Sequence, residues 1–139
     1  MMKPLTLKRR GLLLCLLLPF FLILSCGAPE KNRLKQNDEV SRRYFDLGIV
    51  NLRDGDTQRA LVNFQKALAA EPGNPDIFNG LGLVYFARNE LDSAVQNFKK
   101  ALELDPALAE VHNNLGSALA AQGKKEEAIV HFQAALKSL

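Results

Sequence analysis

The chain has 139 residues, 47% of them apolar and 24% charged, with 2 Cys and no Trp, enough for one ordinary domain. Its formal charge is +3, yet Lys3, Lys8, Arg9 and Arg10 lie within the first 25 positions, where no acid occurs. The remaining 14 basic residues face 15 acidic ones, so from residue 26 onward the net charge is −1 and nucleic-acid binding loses its compositional support.

The first predicted element is an export signal over 1–25. Lys8-Arg9-Arg10 precedes residues 11–24, a run of 14 uncharged and mostly Leu and Phe positions. A helix that spans a bilayer needs about 20 such residues. A basic cluster, a short apolar run and a small residue at its end therefore describe a cleaved signal rather than a retained membrane helix. The run closes as Ile23-Leu24-Ser25-Cys26-Gly27, which resembles the lipobox of bacterial lipoprotein signal peptides, with Leu24 a less usual occupant of its place. The resemblance implies that Cys26 is acylated and becomes the first residue of the mature protein. Cys15 follows Leu14, too large for the cleavage position, and sits in the middle of the apolar run. With the leader gone no second Cys remains, so no intramolecular disulfide can form. Acyl chains contribute about 0.8 kcal/mol per buried methylene, so two or more give a lasting anchor on a membrane without crossing it.

Residues 26–40 follow as acylated Cys and flexible tether: 27–40 are polar, with Pro29 near the start and no apolar periodicity before Val40. The end of this segment has scope to turn helical.

From residue 41 the chain repeats itself every 34 positions. Leu47, Leu81 and Leu115 align, as do Gly48, Gly82 and Gly116; Ala60, Ala94 and Ala128; Phe64, Phe98 and Phe132; Ala67, Ala101 and Ala135; and Leu68, Leu102 and Leu136. A period of this size means stacked supersecondary units. Tyr44, Leu47, Gly48 and Asn51 recur at helical spacing, Gly55 interrupts, and Ala60, Leu61, Phe64, Ala67 and Leu68 resume it. Each unit is thus helix A, turn, helix B. Gly55, Asn89 and Gly123 share the column just past helix A, where a left-handed residue ends a helix. Pro72 and Pro106 cannot continue helix B, and Asn74-Pro75 supplies an N-cap followed by a first-turn proline. The recurring Gly and Ala let the paired backbones approach closely while Leu and Phe fill the gaps.

The pattern resembles the tetratricopeptide repeat, carried by Tyr44, Leu47, Gly48, Ala60, Phe64, Ala67 and Pro72 in repeat 1 (41–74). Repeat 2 (75–108) adds Phe78 and Tyr85, whereas repeat 3 (109–139) has His112 in the aromatic place and Leu119 in the Tyr place. The implied fold is all-α, a right-handed α-solenoid of three repeats whose concave face is lined mainly by the A helices.

Little in the chain suggests chemistry. No G-x-G-x-x-G, G-x-S-x-G, P-loop or H-E-x-x-H motif occurs. His112 and His131 have no carboxylate or thiol at metal-ligand spacing, and a zinc site needs three or four ligands. His112, in the column of Tyr44 and Phe78, reads as a packed imidazole; His131, in the column of Asn63 and Asn97, reads as a solvated surface residue. Asp54-Gly55-Asp56 lacks further acidic ligands and reads as a helix-ending turn plus an N-cap, and Lys124-Lys125-Glu126-Glu127 as the exposed start of a helix. The expectation is a non-enzyme with no catalytic, metal or cofactor residues.

The resemblance implies that helix-A places two, five, nine, twelve and thirteen form a groove for an extended or helical peptide of another protein. Among these, Phe45, Ile49, Leu52, Leu83 and Phe86 make an apolar patch, with Asn79 and Asn113 available to bond a peptide backbone, a composition suited to an amphipathic segment. The family's clamp for a C-terminal carboxylate needs Lys, Asn and Arg; Phe45, Ile49, Gly80, Glu110 and Asn114 stand there instead, which argues against chaperone-tail binding. The whole reads as a lipid-anchored scaffold or adaptor of the bacterial cell envelope, touching the membrane through its anchor alone. Gly27 after the acceptor Cys suits transfer to the outer membrane in a host that has one. Signal, acceptor Cys, tether and repeats resemble the pilotin-type lipoproteins of type IV pilus biogenesis, which help secretin subunits assemble, though those usually carry more repeats; adaptors of cell-wall hydrolases share the layout. Phe132, Leu136 and Leu139 form an apolar face on the last helix, so self-association through that helix is a further expectation.

Overall fold

A computed structural model describes residues 27–138, with side chains from Glu30 onward. The signal segment, Cys15, Cys26 and Leu139 lie outside the described residues. Six helices account for the rest: α1 (Gly27–Arg53), α2 (Thr57–Ala70), α3 (Pro75–Ala87), α4 (Leu91–Leu104), α5 (Ala109–Ala121) and α6 (Lys125–Lys137). Residues 37–139 form one compact unit. Within it α3 pairs with α4 and α5 with α6 as hairpins, α2–α3 and α4–α5 contacts join successive repeats, and the A helices α3 and α5 touch each other.

Residues 27–40 depart from the expected tether, because α1 is helical from Gly27. Pro29 falls in its first turn, where an absent N–H costs nothing, and no Gly or Pro follows until Gly48. A contact at i,i+4, Arg43 to Glu39 at 2.6 Å, adds a small increment. Side chains 30–39 are all exposed, so this stretch has no apolar face to bury and periodicity could not reveal it.

The helix boundaries follow from local chemistry. Gly55, Asn89 and Gly123 all adopt positive φ, at 79°, 59° and 81°, and turn the chain between helices A and B of each repeat. The Asp56 carboxylate accepts from the Arg59 amide at 2.9 Å to start α2, and the Asn74 side chain accepts from the Asp76 amide at 2.9 Å to start α3, with Pro75 in its first turn. Helices α2 and α4 end before Pro72 and Pro106, and the exposed residues 124–127 open α6.

Two apolar clusters make the core. Ala60, Phe64, Ala67, Ile77, Leu81 and Val84 form one; Ala94, Val95, Phe98, Ala101, Val111, Leu115, Ala118, Leu119 and Ala128 form the other. Phe64 and Phe98 are completely buried. The repeated glycine explains how they fit: a Cβ on Gly48 would lie 2.7 Å from the Phe64 ring, on Gly82 2.5 Å from Phe98, and on Gly116 2.7 Å from Phe132. Gly48, Gly82 and Gly116 are each the floor on which their own repeat's phenylalanine rests.

Candidate partner-binding face

The side chains expected to form the groove come from one strip of each A helix, but they differ in how much they leave open. On α1, Phe45, Ile49 and Leu52 are half-buried and pack on the first core cluster. Phe45 meets the Phe64 ring edge-on, with centroids 5.6 Å apart and planes at 61°. Leu83 on α3 is likewise half-buried against the second cluster. Phe86, 36% exposed, presents the most open aromatic surface of the strip. Much of the patch therefore serves the core on one side and offers only its outer edge to a partner.

Asn79 needs a correction. It is 9% exposed, its Nδ2 donates to Glu110 Oε1 at 3.1 Å, and its Oδ1 accepts from Asn114 Nδ2 at 3.0 Å. A buried amide is satisfied from within the chain where it can be, and this one ties α3 to α5 instead of standing free for a peptide. Periodicity could not show this, because Asn79 bonds across repeats to places filled by Asp76 and Gly80 one repeat earlier. Asn113 is exposed and lines a cleft of about 440 Å³ with Ala109, Glu110, Phe132, Ala135 and Leu136. The cleft lies between α5 and α6 and is mainly apolar, with Glu110 and Asn113 at one wall.

His131 also sits differently from expectation. His131 is half-buried and its Nδ1 lies 3.0 Å from His112 Nδ1, while His112 Nε2 lies 3.1 Å from the Pro106 carbonyl. Their 19-residue separation gives no sequence cue. Among the described residues, no three of His, Cys, Asp and Glu converge as metal ligands, and no helix is long and apolar enough to cross a membrane.

Helical hairpins in register, a polar tie between A helices and an open strip along them define an interaction module of stacked repeats. Family models agree with this geometry. Models of the tetratricopeptide repeat match residues 51–96 and 109–138, and a further TPR-repeat model matches 82–123. The chain is a tetratricopeptide-repeat protein, an all-α solenoid. The second TPR domain of Spaghetti (RPAP3), solved with the HSP90 peptide SRMEEVD, shares the fold at 22% identity, with TM-score 0.71 over 75% of this chain and 96% of that one. MamA is 26% identical, with TM-score 0.67 over 83% of this chain and 71% of that one. The pilF protein of Pseudomonas aeruginosa is 34% identical, with TM-score 0.68 over 72% of this chain and 45% of that one. No curated protein sequence matches the chain.

Proposed function

We propose that this protein is a lipid-anchored scaffold of the bacterial cell envelope that holds a peptide segment of another protein against its A helices. The observation that carries the binding part is the mainly apolar cleft of about 440 Å³ walled by Asn113, Glu110, Phe132 and Leu136, with Phe86 exposed on the preceding A helix. An apolar edge flanked by Asn113 and Glu110 suits the apolar face of an amphipathic or extended segment. The anchor rests on the sequence from Lys8 to Gly27, with Cys26 as the acylated residue, and Gly27 supports an outer-membrane, periplasm-facing location in a host with two membranes. Cys26→Ala abolishes labelling by a fatty-acid analogue while Cys15→Ala does not; labelling that survives Cys26→Ala overturns the anchor. Affinity capture with the acylated protein, followed by mass spectrometry, names the partner. The absence of a partner sensitive to Phe86→Glu overturns the groove.

A second reading, a pilotin-like assembly factor for a type IV pilus or secretion secretin, draws support from the first repeat's Tyr44-Phe45-Asp46-Leu47-Gly48 and from the likeness to pilF. An adaptor of cell-wall hydrolases fits the same layout. Capture of a secretin favours the first, capture of a hydrolase the second. Self-association through α6 is part of the proposal, since Ile129, Val130 and Leu136 are exposed there. A strictly monomeric species in concentrated sedimentation runs contradicts it.

A further inference from the structure

The side chains that join α5 to α6 include a pair whose geometry dictates its protonation. The Pro106 carbonyl can only accept, so His112 Nε2, 3.1 Å away, carries a hydrogen and donates to it. Neutral His112 then has a lone pair on Nδ1. His131 Nδ1, 3.0 Å away, must be the donor of the bond between the rings. The ring centroids are 5.3 Å apart with planes at 26°. That separation equals the nitrogen gap plus a ring radius at each end, so the two Nδ1 vertices point at each other along one line. A tetrahedral zinc ion held by two imidazoles needs their lone pairs to converge at an angle, at bonds of about 2.0–2.1 Å, and a linear two-coordinate ion needs the nitrogens about twice such a bond apart. Head-on nitrogens at this distance leave space for a proton and none for a metal.

We propose that the His112–His131 pair is an acid-sensitive latch that holds α6 on α5 while the two rings share a single bridging proton, and loosens the last hairpin when both rings become charged. A first added proton goes to His131 Nε2; it keeps the Nδ1–H donation to His112 but places a charge on a ring whose burial disfavours it, so the closed hairpin is already weakened. A second has only His112 Nδ1 to occupy, where it sets N–H against N–H and two cations head-on. Separated imidazoles take both protons freely. Burial of the ring, His112 itself and Lys99 on α4 all hold His131 below its ordinary 6.5, against which Glu127, one turn back on α6, pulls upward. The sign follows from linkage: the opened hairpin binds more protons than the closed one, so the latch is fully engaged above pH 6.5 and weakens as pH falls below that value. Because the pair lies next to Asn113 and Phe132 in sequence, its release disturbs the helices that wall the cleft.

The repeat itself supplies replacements that keep the fold. Position 112 holds Phe in repeat 2 and Tyr in repeat 1, and position 131 holds Asn in both, so His112→Phe with His131→Asn substitutes residues the same places already accept. The experiment uses the full chain in detergent. NMR follows the titration of both imidazoles, and native-state hydrogen exchange of the α6 amides, corrected for intrinsic rates, is compared at pH 7.5 and 5.5. The latch predicts that His131 titrates below 6.5, and a severalfold larger opening of α6 at pH 5.5 that disappears in the double variant. A His131 that titrates at or above 6.5, an α6 opening unchanged by pH, or a pH response that survives the double variant each overturns the proposal. The titration of the unmodified chain decides the matter even if the variant unfolds.

Discussion

The two junctions between repeats are built from the same places with opposite chemistry. Where repeat 1 meets repeat 2, Phe45 lies edge-on to Phe64, and Gly80 gives that ring room, since a Cβ there would come within 2.6 Å of it. Thirty-four residues later the same places hold Asn79 and Asn114, hydrogen-bonded to each other, with Glu110 as the second partner. The first junction gains from burial of aromatic surface. The second gains little net energy from its bonds, but any slip of α5 along α3 leaves a buried amide unpaired, at a cost of about 1–3 kcal/mol. One junction supplies cohesion and the other sets alignment, and the polar one shares Glu110 with the cleft between α5 and α6.

The comparison breaks most severely at the phenylalanines. Phe98→Ala empties a completely buried site and lowers unfolding free energy by about 3–5 kcal/mol, whereas Phe45→Ala, at a half-buried edge, costs distinctly less. Urea unfolding followed by circular dichroism ranks the two, and equal losses would show that Phe45 is as much core as Phe98. Next in size is Gly82→Ala. Its Cβ would press on the Phe98 ring at 2.5 Å, so overpacking costs about 1–3 kcal/mol despite the better helix propensity of Ala. A gain in melting temperature would mean that the ring has room to move. The smallest and sharpest test exchanges the junctions: Asn79→Phe alone removes the partner of Asn114 and crowds it, while Asn79→Phe with Asn114→Gly rebuilds the first junction's pairing. The double variant recovers most of the stability that the single one loses, about 1–2 kcal/mol. Simple additivity of the two losses would show that the places are not coupled.

The 34-residue period made the helices, their turns and their core columns legible, because positive φ at Gly55, Asn89 and Gly123 recurs in each unit and burial of Phe64 and Phe98 in the first two. What the period hid is whatever differs between units that it treats as equal. Leu47, Leu81 and Leu115 share a column, yet they are 49%, 5% and 0% exposed. Leu81 and Leu115 pack beside the preceding repeat's second helix, and among the described residues no such helix precedes α1. Asn79 reads as free in the repeat for the same reason: its partners Glu110 and Asn114 lie 31 and 35 residues away, across the junction. The imidazole pair joins an aromatic column to an asparagine column and is invisible to either alone. In the groove, the strip was legible but its depth was not, since Phe45, Ile49 and Leu52 serve the core as well. The helical start of α1 was missed because it is polar on every side.

The central claim, that a partner lies along the A helices, is tested most directly by site-specific photocrosslinking in cells. A photoreactive phenylalanine analogue is placed at Phe86 and at Asn113 on the strip, and at Val62 and Leu104, exposed on the B helices. The account predicts one and the same crosslinked protein from positions 86 and 113 and none from 62 and 104. Crosslinks from the B-helix positions alone, or none from either strip position, would contradict it.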